Sequence, residues 1–179
     1  MATRKKSPSR TANPSSYYFI VEGCSEENYI QCLKKILKSR QVAKPKNCNG
    51  GGAKAVLQQA NKLIEKYKND YLGFVIWFDK DTCSQDKEAA NIKKKLAQQH
   101  NVALFITDPC FEHWLLAHFQ TIHLNEQQTC QHYENKLKSY IINYQKNNCH
   151  QLEQHLSLEK IKTAVQNYPD IGELCKKYF

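Results

Sequence analysis

The sequence predicts an α/β chain: a mainly parallel sheet flanked by helices, followed by a helical C-terminal extension. Three observations carry this. Short, unbroken apolar runs at Tyr17–Val21, Gly73–Phe78 and Val102–Ile106 read as strands covered on both faces. Amphipathic stretches separate them, so strand and helix alternate. From Pro109 onward the pattern turns helical. The expected layout is a basic, disordered tail over 1–15, an α/β domain over 16–120 and a helical extension over 121–179.

In chain order, Tyr17–Val21 is the first strand. Tyr29, Ile30, Leu33, Ile36 and Leu37 form a helical stripe after it. A further strand is expected around Val42–Cys48. Gly50-Gly51-Gly52-Ala53-Lys54 lacks the GxxxxGK[ST] spacing of a phosphate loop. It reads as a flexible entry to a second helix, whose stripe is Val56, Leu57, Ala60, Leu63, Ile64 and Tyr67. Gly73–Phe78 is the central strand, and a weaker stripe of Ala89, Ile92 and Leu96 follows. After Val102–Ile106 comes the aromatic segment Phe111–Phe119. Helices are then expected over 126–146, 155–167 and 170–178.

The chain has 179 residues and a formal net charge of +9. That length suffices for a real core. No apolar run reaches the roughly 18 residues of a membrane span, and the N-terminus has no apolar signal segment. A cytoplasmic protein with no membrane partner is expected. Arg4, Lys5 and Lys6 concentrate positive charge in the tail, and lysines such as Lys93, Lys94 and Lys95 spread it over helices. Such a field attracts polyanions, nucleic acid foremost. The eight cysteines form no CxxC pair and are expected as free thiols. Cys130, His132, Cys149 and His150 follow no zinc-site spacing.

In an open parallel sheet, ligands bind beyond the carboxyl ends of the strands. Each apolar run here ends in acids: Glu22 and Glu26 after the first, Asp79 and Asp81 after the second, Asp108 and Glu112 after the third. Gathered carboxylates repel one another unless compensated, and a hard divalent cation such as magnesium compensates them well. Asp79 and Asp81, two positions apart, can project the same way. Glu22 serves as a further ligand or as a general acid/base. The simpler alternative makes Asp81 an N-cap and Ser25 with Glu26 helix-start residues. Lys80 is expected to point away from an ion, toward phosphate or solvent. His113, beside Glu112, is the histidine able to reach the acids, and Lys54 a contact for phosphate.

These blocks resemble a known family. Glu22-Gly23, a helix, then Asp79-x-Asp81 at a later strand end resembles the Rossmann-like Toprim domain of topoisomerases, primases and several nucleases. The closer resemblance is to RloB-like proteins, with their VEGxTE, FDxD and NPCFExWLLxHF blocks. Here these read Val21-Glu22-Gly23-Cys24-Ser25-Glu26, Phe78-Asp79-Lys80-Asp81 and Asp108-Pro109-Cys110-Phe111-Glu112-His113-Trp114-Leu115-Leu116-Ala117-His118-Phe119. Tyr144-x-Lys146 also resembles a C-terminal element of the family. Asp108 departs from it, standing where Asn is usual. The resemblance implies magnesium or manganese bound by Asp79, Asp81 and Glu22, with Glu22 and Glu26 on the catalytic side and Glu112, Lys80 and His113 in support. It implies a nuclease acting on RNA, with tRNA ahead of DNA, in defence against phage beside a partner ATPase. Self-association is allowed for. The alternative is a non-catalytic nucleic-acid- or nucleotide-binding module of an ATPase-containing complex.

Overall fold

The computed structural model describes residues 14–80, 87–122, 128–146, 148 and 150–179. Among these, a four-stranded sheet is flanked by helices on both faces. The strands are β1 (Tyr17–Val21), β2 (Lys46–Asn47), β3 (Gly73–Asp79) and β4 (Val102–Thr107). The helices are α1 (Cys24–Ile36), α2 (Gly52–Tyr67), α3 (Lys87–Ala97), α4 (Phe111–Leu116), α5 (Cys130–Leu137), α6 (Leu158–Asn167) and α7 (Pro169–Tyr178). The strand order is β2-β1-β3-β4 and every pairing is parallel.

Alternation along the strands divides the core in two. Ile20, Phe74, Ile76 and Phe78 point to one face and meet Val56, Leu57, Ala60 and Ile64 of α2 and Ala89 and Leu96 of α3. Phe19, Val21, Val75 and Trp77 point to the other. There they meet Tyr29, Ile30 and Leu33 of α1 together with Trp114, Leu137, Ile161 and Leu174 from α4 to α7. This two-sided cover is why the strands are apolar at every position rather than at alternate ones. β3, buried along its whole length, is one of the two inner strands.

The Rossmann-like arrangement places one feature where function needs it. From β1 the chain passes to β2 on one side, and from there to β3 on the other. α1, which follows β1, and α2, which follows β2, lie on opposite faces, and β1 and β3 adjoin where the order reverses. A crevice opens at such a reversal of strand order.

Two expected elements differ. The strand expected over 42–48 pairs only at Lys46–Asn47, with an isolated bridge between Tyr17 and Val42. The helix expected over 126–146 ends at Leu137, and the part of its range at 126–127 lies outside the described residues. Beyond α5 the chain turns, and Asn143 takes a left-handed φ of 59°. Asn tolerates that conformation better than most residues. The reversal carries Tyr144 and Lys146 back to the sheet edge. The basic tail, with Arg4, Lys5 and Lys6, lies outside the described residues, as does Asp81. Among the described residues no helix is long and apolar enough to cross a membrane.

Candidate active site

The carboxyl ends of β1 and β3 bring Glu22 and Asp79 together. Parallel pairing sets Val21 against Trp77, so the two acids follow at adjacent levels. The backbone N–H of Asp79 donates to Glu22 Oε2 at 3.3 Å. Asp79 is buried, and its Oδ1 accepts from Thr107 Oγ1 at 2.5 Å and from the Phe111 N–H at 2.9 Å. Thr107 ends β4 and Phe111 opens α4, so β4 and the helix after it both orient this carboxylate. Its Oδ2 is turned to Lys146 Nζ, 3.7 Å away.

Glu112 and Glu26 complete the cluster from the helices. Glu112, buried on α4, accepts the Tyr144 hydroxyl on Oε1 at 3.1 Å. Its Oε2 has no hydrogen-bond partner and faces Lys146 Nζ at 3.5 Å. Glu26 is the third residue of α1, and its Oε2 accepts the Gly23 N–H at 3.1 Å, satisfying a donor that the helix start leaves open. Glu26 therefore does act as a helix-start residue. Ser25 does not cap: its hydroxyl donates to the Lys146 carbonyl at 2.5 Å.

Crowding sets the electrostatics. Burial, then the charge of Asp79, pushes the Glu26 carboxyl up to about 8. Burial likewise pushes Asp79 up to about 7, with Glu112 and Glu22 adding to it, although the Thr107 hydrogen bond and Lys146 pull the other way. For Lys146, burial opposes the charge, but Glu112 and Asp79 outweigh it and raise the ammonium above the usual lysine value. Glu26 and Asp79 therefore hold their protons far more readily than free acids do, beside the Lys146 cation. Perturbed groups of this kind, gathered in a crevice, are the mark of a functional site.

The other expected residues are placed differently. Lys80 pairs with Asp108 at 2.5 Å on the surface. His113 is buried, with Nδ1 at 2.9 Å from the Asp108 carbonyl and its ring against Tyr133 and Tyr168. Lys54, in the first turn of α2, pairs with Glu88. The glycine loop lies at the site's edge, where the Gly50 N–H donates to the Glu22 carbonyl at 2.8 Å. Cys24 is disulfide-bonded, which corrects the expectation of eight free thiols. It opens α1 and is half-buried, whereas Cys32 and Cys110 are buried and free.

Thr107, Tyr144 and Lys146 belong to the cluster without having been expected as site residues. Thr107 directly follows the run Val102–Ile106, and Tyr144-x-Lys146 stands out as a short motif. Nothing in their spacing foretold that a chain reversal 30 residues beyond α4 returns to Glu112.

Among the described residues no three His, Cys, Asp or Glu side chains are drawn together closely enough to hold a metal ion. The chemistry of the donors nonetheless fits a hard divalent cation. They are all carboxylate oxygens, Glu112 Oε2 is buried without a hydrogen bond, and both Asp79 and Glu26 resist full ionisation. In comparison with known proteins, the family model of RloB-like proteins matches residues 17–176. No curated protein and no solved structure matches the chain.

Proposed function

Because the chain belongs to the RloB-like family, we propose that it is a metal-dependent nuclease that hydrolyses phosphodiester bonds of nucleic acid, RNA and particularly tRNA ahead of DNA, as an effector of phage defence beside a partner ATPase. The observation that supports this is the meeting of Glu22 and Asp79 at the reversal of strand order, with Glu26 and Glu112 beside them. Glu22, Asp79 and Asp81 would hold magnesium or manganese. When bound, such an ion polarises the phosphoryl oxygen and stabilises the leaving oxygen.

The protein's own groups divide the remaining work. Glu22, partly exposed at the crevice, takes or returns the proton of the attacking water. Glu26, with its carboxyl near 8, keeps a proton available beside it. Thr107 and the Phe111 N–H hold Asp79 in one orientation, leaving Oδ2 directed into the site. Lys146 offers a fixed positive charge to the phosphate.

One observation favours a second reading. Lys146 already stands between Asp79 and Glu112, so a cation is present there without metal, and the described residues fall short of three donors. A non-catalytic module of an ATPase-containing complex would look the same. Incubation of the purified protein with tRNA, other RNA and DNA, with magnesium or manganese and with the ATPase present, separates the two. We expect RNA cleavage that drops by at least about a hundredfold in Asp79→Asn, the scale of losing one electrostatic element of a catalytic site. Cleavage surviving in that variant would overturn the residue assignment, and no cleavage of any substrate would favour the module.

A further inference from the structure

α1 ends in cations. Lys34 and Lys35 occupy its last turn, and Lys38 follows its C-cap. The helix dipole accounts for the first two. It does not account for Lys44, which arrives from the connection to β2. These four lysines, with Ser39 and Pro45, line a groove of about 490 Å³, and none of its lining residues is acidic. The turn that shapes it is well tied. Lys38 takes a left-handed φ of 54°, the Ser39 N–H donates to the Lys34 carbonyl at 3.0 Å, and the Ser39 hydroxyl accepts the Gln41 N–H at 3.2 Å.

The four ammonium groups are not equivalent. Lys34 Nζ donates to the Val42 carbonyl at 2.5 Å, and Lys35 pairs with Glu153. Lys38 and Lys44 are both exposed, and no ion pair holds either among the described residues. Lysine stems supply apolar wall while their heads stay in water. Such a groove suits a ligand that alternates apolar and anionic parts.

Position narrows the ligand further. α1 has 13 residues; at about 1.5 Å per residue, the groove lies roughly 20 Å from the acids at the other end of the helix. A nucleic-acid strand carries one phosphate per about 3.4 Å of axis in a duplex, so a strand seated at the acids spans that distance in about six nucleotides. We propose that this groove is a second nucleic-acid contact, in which Lys38 and Lys44 grip the sugar–phosphate backbone of the strand held at the acid cluster. The proposal rests on nucleic acid being the substrate, but not on its being cut.

The test is fluorescence anisotropy of a labelled RNA oligonucleotide across a salt series, in EDTA so that no cleavage intervenes, comparing the wild type with Lys38→Gln/Lys44→Gln. Two lost phosphate contacts should weaken binding by about tenfold at low salt and make the slope of log K against log salt shallower by about 1.4. An unchanged slope and affinity, or no RNA binding by the wild type, would overturn the proposal. So would binding of labelled ATP that the substitutions abolish while the RNA slope stays put, since the groove would then be a nucleotide pocket. In cleavage assays the same variant should raise KM and leave kcat within about twofold, as loss of uniform binding does. Absence of cleavage by the wild type would sink the nuclease reading and leave the anisotropy result standing.

Discussion

Single residues set the charge state of the site. Glu26 has a folded value of about 8 against an ordinary 4.5. A carboxyl raised in this way contributes its relative stability below about pH 4.5 and loses it as pH climbs through 8, because the unfolded chain releases the proton first. The neutral isostere removes that dependence while its amide oxygen still accepts the Gly23 N–H. Melting temperatures of Glu26→Gln and wild type should therefore diverge between pH 5 and 8.5, with the variant gaining on the wild type at the higher pH. A constant offset would mean that Glu26 ionises normally. Glu22, Asp79 and Glu112 were legible as single residues because each interrupts or follows an apolar run, where an acid has no structural reason to be. Lys146 was legible only as part of the Tyr144-x-Lys146 motif: among 26 basic residues, that motif does not say that a chain reversal inserts it between two carboxylates.

The elements explain how those residues are aimed. Unbroken apolar runs announced β1, β3 and β4, since a strand buried on both faces has no polar side to show. β2 was poorly visible because two residues carry too little pattern. The range 126–146 has helix-like spacing, yet it breaks after α5 where Asn143 adopts left-handed geometry, a choice of backbone that periodicity does not report. α2 begins at a comparable point. Asn49, Gly50, Gly51 and Gly52 all have positive φ, and a Cβ on Gly51 would lie 2.9 Å from Ala55 Cβ. Gly51→Ala should cost about 1 kcal/mol or more in urea denaturation. Its effect should reach Glu22 as well, since the neighbouring Gly50 N–H holds the Glu22 carbonyl. A variant of wild-type stability would show that the loop relaxes freely.

Across the molecule, the segment after α4 is bound to the sheet both by apolar packing and through the site. Trp77 of β3 and Trp114 of α4 sit at 5.1 Å between ring centroids, and α6 and α7 close over the same cluster. The Tyr144 hydroxyl ties this segment to Glu112. Tyr144→Phe should leave a buried carboxylate oxygen without its donor and cost about 1–3 kcal/mol in chemical denaturation. An equally stable variant would mean that Lys146 satisfies Glu112 unaided. Strand, helix and acid placement are written in local composition, because burial on two faces and termination at an edge leave a mark within a few residues. Which acids share one site, which lysine balances them and which lysines face one another across a groove depend on strand order and on chain reversals. Those follow from packing between residues far apart in the chain, 121 positions for Ser25 and Lys146, and no local pattern encodes contacts at that range.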